Sequence, residues 1–136
     1  MEYQIEDVCR RMLDNANLSV DLSRYPRVTL KFIVQGSVDG KFWEVRFNCD
    51  HVVDLYIRND DNIGKNDLHL VLETSVVCKQ KRETDIALQE RLFGKPLDMT
   101  IWLIHIYGHM ALDLVCSEFS WSTTELSVAE YRARFA

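Results

Sequence analysis

Residues 28–35 read Val-Thr-Leu-Lys-Phe-Ile-Val-Gln, and residues 42–49 read Phe-Trp-Glu-Val-Arg-Phe-Asn-Cys. In the first stretch Val28, Leu30, Phe32 and Val34 alternate with Thr29, Lys31 and Gln35, the period of a half-buried strand. Asp39-Gly40 lies between the two stretches. Gly accepts positive φ and Asp tolerates it, so this pair predicts a hairpin turn. A two-residue loop there sets Val34 opposite Val45, Phe32 opposite Phe47 and Leu30 opposite Cys49. The other side then pairs Lys31 with Asn48, Ile33 with Arg46 and Gln35 with Glu44. One face is apolar and the other largely polar, as in an antiparallel sheet with one wet face.

Upstream, Ile5, Val8, Cys9, Met12 and Leu13 recur at helical spacing, predicting an amphipathic helix over 2–14. Asn15-Ala16-Asn17 ends it, and a polar connection leads to Tyr25-Pro26. Downstream, 52–57 continues as extended chain, 59–67 reads as a polar loop and 68–78 as a strand. Residues 84–93 predict a short helix ended by Gly94, with Pro96 beyond it. Gly108-His109 predicts a second hairpin, with Gly108 at the first position of a type II′ turn. His105 then faces Leu112, Leu103 faces Leu114 and Ile101 faces Cys116. Its reverse side gathers Trp102, Ile104, Ile106, Val115, Phe119 and Trp121 with Asp113. Ser127 and Glu130 fit a capping box, and Leu126 with Tyr131 fits the accompanying staple of a short terminal helix.

The expected fold class is α+β: an antiparallel sheet built from two hairpins, packed by an N-terminal, a short middle and a short C-terminal helix. Residues 1–136 are expected to form a single domain, the size at which one core suffices. Hydrophobic residues make up 47% and charged residues 27%, a globular balance. The net charge of −5 argues against nucleic acid, which calls for a basic surface. The one dense basic run, Lys79-Gln80-Lys81-Arg82, reads as a solvated junction. No segment reaches the roughly 20 apolar residues of a spanning helix. The acidic N-terminus lacks the build of a signal peptide. A cytoplasmic location is expected, with Cys9, Cys49, Cys78 and Cys116 as buried reduced thiols.

Several residue groups were weighed as chemical sites. His105 and His109 are spaced H-x3-H, but on strand–turn–strand their rings do not converge. Cys49 and His51 share a strand face and would need two further ligands, from Cys78, Cys116 or His69. Asp50 points away from His51 on a strand, so Cys49-Asp50-His51 is not a catalytic set. The loop 59–67 carries oxygen ligands but not calcium spacing. Glu44, Glu73, Asp113 and Glu118 are candidate cleft carboxylates. The expectation is no catalytic residue, no metal and no cofactor.

The apolar reverse face of the second hairpin carries Trp102, Ile104, Phe119 and Trp121, side chains of the kind that anchor interfaces. Either a terminal helix covers it, or a protein partner or second copy does. The functional reading is therefore a non-catalytic protein-binding domain acting through its sheet or as a homodimer. The element order α-β-β-β-α-β-β-α in a small acidic chain resembles class I chaperones of type III secretion. That resemblance implies a dimer holding an effector segment in extended form. The chain departs from the pattern in its long stretch between 49 and 78 and its short last helix. Small size and acidity also suit a toxin-neutralising immunity protein. The rival class is a small enzyme or metal-binding protein using the histidines, which requires His51, His69 and His105 to converge.

Overall fold

The computed structural model describes residues 4–35, 40–59, 69–79 and 101–135. Helix α1 (Ile5–Arg11) precedes strands β1 (Asn17–Arg24), β2 (Arg27–Gln35), β3 (Phe42–Asn59) and β4 (His69–Lys79). Strands β5 (Ile101–Gly108) and β6 (Met110–Leu126) and helix α2 (Val128–Ala133) follow. All neighbouring strands are antiparallel. The six close into a barrel in the order β1-β2-β3-β6-β5-β4, so the sheet is not the open pair of hairpins that alternation alone predicts. The predicted middle helix at 84–93 lies outside the described residues.

The inward face is the apolar half of each alternation. Leu30, Phe32, Phe47, Leu112 and Leu114 are among its fully buried side chains. Phe32, Phe47, Phe119 and Trp102 run ring to ring across the barrel, with successive centroids 4.9, 5.1 and 5.1 Å apart. Val8, Cys9 and Leu13 of α1 and its following turn join the same core. Helix α2 has no buried residue of its own and lies against β3 and β6, where Tyr131 stacks on Phe42 at 3.9 Å. Ser127 caps it as expected, accepting from the Glu130 N–H while the Glu130 carboxylate accepts from the Ser127 N–H.

Both hairpins differ in register from the sequence expectation. In the first, Val34 faces Trp43, Phe32 faces Val45 and Leu30 faces Phe47, a shift of two residues. The last pair is Gln35 with Phe42, so the connection is longer than two residues. A shift of two preserves which side chains face inward, because the side-chain period is two. Gly40 does take positive φ (68°), while Asp39 lies outside the described residues.

In the second hairpin the shift is one residue: Trp102 faces Cys116, Ile104 faces Leu114, and His105 faces Asp113. A shift of one regroups both faces. The expected turn glycine, Gly108, packs against β4. It adopts no positive φ, but a Cβ there would collide with the Leu70 carbonyl of β4. The neighbouring His109 N–H donates to that carbonyl at 3.0 Å. The glycine serves close packing against β4, and the turn centres on His109.

Two further differences concern β1 and β3. The segment 17–24, read as a polar connection, is a strand because it pairs with β2 along most of its length and with β4 at its start. The extended run 52–57 is part of one 18-residue strand, β3. Its inward parity switches at His51 (φ 54°): Cys49 and Val52 are both buried. The facing strand switches likewise between Cys116 and Phe119.

Candidate functional site

The predicted interface residues are placed first by burial. Ile104 is 1% exposed inside the barrel, and Trp102, Phe119 and Trp121 are half-buried and packed against the core. Ile104 thus lies inside the barrel, while Trp102, Phe119 and Trp121 keep part of their surface exposed beside the core. The one-residue change of register explains it, since Trp102, Ile104 and Ile106 share the inward face with Leu112, Leu114 and Cys116.

The titratable candidates also separate. His105 Nδ1 lies 2.6 Å from an Asp113 carboxylate oxygen on the outer face, and His51 faces Glu118 at 3.8 Å. Glu44 lies between Arg46 and Arg134, 3.4 Å from each. The four candidate carboxylates thus do not converge; Glu44 lies by two arginines, Asp113 by His105 and Glu118 by His51. The side chain of His69 and most of the loop 59–67 lie outside the described residues. Among the described residues no group of three or more His, Cys, Asp or Glu side chains could hold a metal ion. No disulfide joins the four cysteines, and Cys9, Cys49 and Cys116 are buried. A hydrogen bond to Cys116, then burial, pushes the Cys49 thiol pKa up. No described helix is long and apolar enough to cross a membrane.

What the structure brings together instead is a strand edge. Among the described residues, strand β1 pairs with β4 through Asn17–Leu70 and Leu18–His69. One step further, the Val71 N–H donates to the Ala16 carbonyl (2.9 Å) and the Val71 carbonyl accepts from the Asn15 N–H (2.8 Å). There the chain turns away into α1, with Asn15 in the left-handed region (φ 65°). Among the described residues no strand pairs with β4 on this side from Leu72 to Val77, and a groove of about 780 Å³ lies beside it. Its opposite wall is α1, presenting Glu6, Cys9 and Arg10, with Asp14 just beyond the helix.

The direction of the backbone groups follows from the faces taken by the side chains. In a strand, a residue's N–H and C=O point to one edge, and that edge alternates in step with its side-chain face. Val71 faces inward and uses both backbone groups on the β1 side. The register slips between Val71 and Glu73, leaving Leu72 and Glu73 both exposed. Beyond the slip Thr74 and Val76 face inward, so their backbone groups point at the same edge, past the end of the β1 pairing. Ser75 and Val77 point the other way, into the ladder with β5.

Thr74 marks the floor of this groove. It is 9% exposed, and its hydroxyl is buried without a hydrogen-bond partner. An unpaired buried hydroxyl costs free energy, so it stands out in an otherwise apolar interior. Cys9 reports on the opposite wall: its thiol pKa is pushed up to about 12, first by burial and then by the charges of Glu6 and Asp14. Leu72 (50% exposed) and Val77 (41%) flank the strand with apolar surface.

Nothing in the sequence marked this site. Its residues read as one strand and one helix, and the opening depends on where β1 stops pairing with β4. Comparison with protein-family models, curated proteins and solved structures finds no match.

Proposed function

We propose that this protein binds an extended polypeptide segment along the β4 edge, between that strand and α1. The observation that carries the reading is the inward-facing pair Thr74 and Val76, whose backbone groups point toward the groove, where no described strand pairs with them. An open edge beside a helix suits strand addition: main-chain hydrogen bonds supply affinity, and flanking pockets supply selectivity. The six residues from Leu72 to Val77 span about 17 Å, room for a segment of roughly five residues. Each main-chain bond contributes about 0.5–1.5 kcal/mol net.

The reading keeps a non-catalytic binding role and moves it from the second hairpin to β4. It shares the idea of an extended client with the chaperone resemblance, and needs no dimer. The test is proline substitution. Thr74→Pro removes an N–H aimed at the groove while leaving the ladder to β5 intact, as proline at a sheet edge does. Labelled eight-residue peptides alternating valine with polar residues should bind the native protein saturably. Thr74→Pro should weaken them by about tenfold, the loss of one bond and its strand geometry. Equal binding by a Thr74→Pro protein with native circular dichroism would count against the edge.

A further inference from the structure

We infer that Ser75, His105 and Asp113 form a reactive serine site on the outer face of the sheet, one that accepts the acyl group of an ester of a short apolar acid. The strand registers carry it, and it draws on none of the edge groups of β4. Ser75 of β4 lies opposite His105 of β5, and His105 lies opposite Asp113 of β6, so the three stand in one row across adjacent strands. Their chain neighbours Thr74 and Val76, Ile104 and Ile106, and Leu112 and Leu114 are buried within the barrel, so the row itself faces outward. Side chains directly opposite in an antiparallel pair have Cβ atoms about 4.5–5.5 Å apart, a spacing that an imidazole bridges between a hydroxyl and a carboxylate.

The chemistry follows from the middle residue. His105 Nδ1 is 2.6 Å from an Asp113 carboxylate oxygen. An ionised carboxylate only accepts, so Nδ1 carries the proton of the neutral ring and Nε2 keeps its lone pair to serve the Ser75 hydroxyl. Hydroxyl, imidazole and carboxylate in that order are the parts that activate a serine, with Asp113 as the positioning residue. The contact between hydroxyl and base in such a set often tightens only when substrate binds. The His105 and Asp113 side chains are 48% and 59% exposed and Ser75 is half-buried, so the row is reachable from solvent. The next row on the same face, Val77, Leu103 and Val115, is apolar and suits an apolar acyl chain. In the reaction Ser75 Oγ attacks the ester carbonyl carbon while His105 Nε2 takes the hydroxyl proton. The bond to the alcohol oxygen breaks, the alcohol leaves with that proton, and the acyl group stays on Ser75. Water, deprotonated by the same base, then releases the acid and restores the hydroxyl.

The experiment treats the full chain with a fluorophosphonate, which loses fluoride to an activated serine hydroxyl, and locates the adduct by peptide mass mapping. Turnover is followed with p-nitrophenyl butyrate. The adduct should fall on Ser75. Ser75→Ala, which removes only a hydroxyl from the outer face, should abolish labelling and turnover while keeping a native circular dichroism spectrum. His105→Gln should slow labelling by at least about 100-fold, the effect of losing a general base. Asp113→Asn should lower kcat by at least about tenfold with KM unchanged, and Asp113→Glu should restore it; a merely structural carboxylate would not produce that split. No adduct on Ser75, or labelling of His105→Gln at the native rate, would reduce the row to a surface ion pair beside a serine and overturn the assignment. Turnover undiminished in Ser75→Ala would overturn it as well.

Discussion

Replacing Thr74 by valine should stabilise the free protein. The two side chains have the same shape, and the exchange swaps a buried, unpartnered hydroxyl for a methyl group. Thr74 is 9% exposed, so nearly the whole desolvation cost of the hydroxyl is borne in the folded state. Burying such a group without a partner costs about 1–3 kcal/mol on protein mutational scales. For a chain of 136 residues, each kcal/mol moves Tm by about 3–4 °C. Thr74→Val should therefore raise Tm by at least about 3 °C, read by differential scanning calorimetry. An unchanged or lowered Tm would refute the reasoning, since it would show that the hydroxyl is already satisfied in the free protein.

Other consequences follow from packing and ionisation. Gly108→Ala would drive a Cβ into the Leu70 carbonyl; a cost of about 1–3 kcal/mol is expected from overpacking, visible as a lower urea midpoint. Alkaline pH should destabilise the fold. The folded Cys9 thiol holds its proton up to about pH 12, whereas an unfolded thiol ionises near 8.5. The unfolded state therefore binds fewer protons across that window, and stability falls as pH rises through it. Cys49 is shifted in the same direction. Cys9→Ala should flatten the alkaline decline in Tm by up to one proton's worth, and an unaltered pH profile would exclude Cys9 as a source.

The strands were legible to different degrees, for physical reasons. Alternation in 28–35 and 42–49 placed every core side chain of that hairpin on the correct face, although the pairing was two residues off. Period-two patterning is blind to even shifts. The hairpin at 101–116 suffered the opposite fate. Gly108 looks like a conformational glycine, but its role is close approach to Leu70, and the resulting one-residue shift regrouped both faces. Trp102 and Ile104 thereby moved from a supposed surface to the inward face.

Strand β1 was missed because Leu18, Val20 and Leu22 alternate with Ser19, Asp21 and Ser23 in a segment that also resembles a polar connection. Its strand character comes from neighbours distant in sequence: β2 on one side and β4 on the other. Barrel closure rests on that second, short pairing, and so does the open edge of β4. No local pattern around Thr74 announces that β1 leaves β4 after Val71, which is why the candidate site appears only in three dimensions.

The most direct test of the β4 edge is residue-resolved amide hydrogen exchange by NMR, with and without an eight-residue peptide alternating valine with polar residues. In the free protein the Thr74 and Val76 N–H groups should exchange quickly, while those of Ser75 and Val77, bonded toward β5, exchange slowly. Saturating peptide should slow Thr74 and Val76 selectively. Slow exchange at Thr74 and Val76 in the free protein, unchanged by peptide, would show that this edge is already paired and would contradict the account.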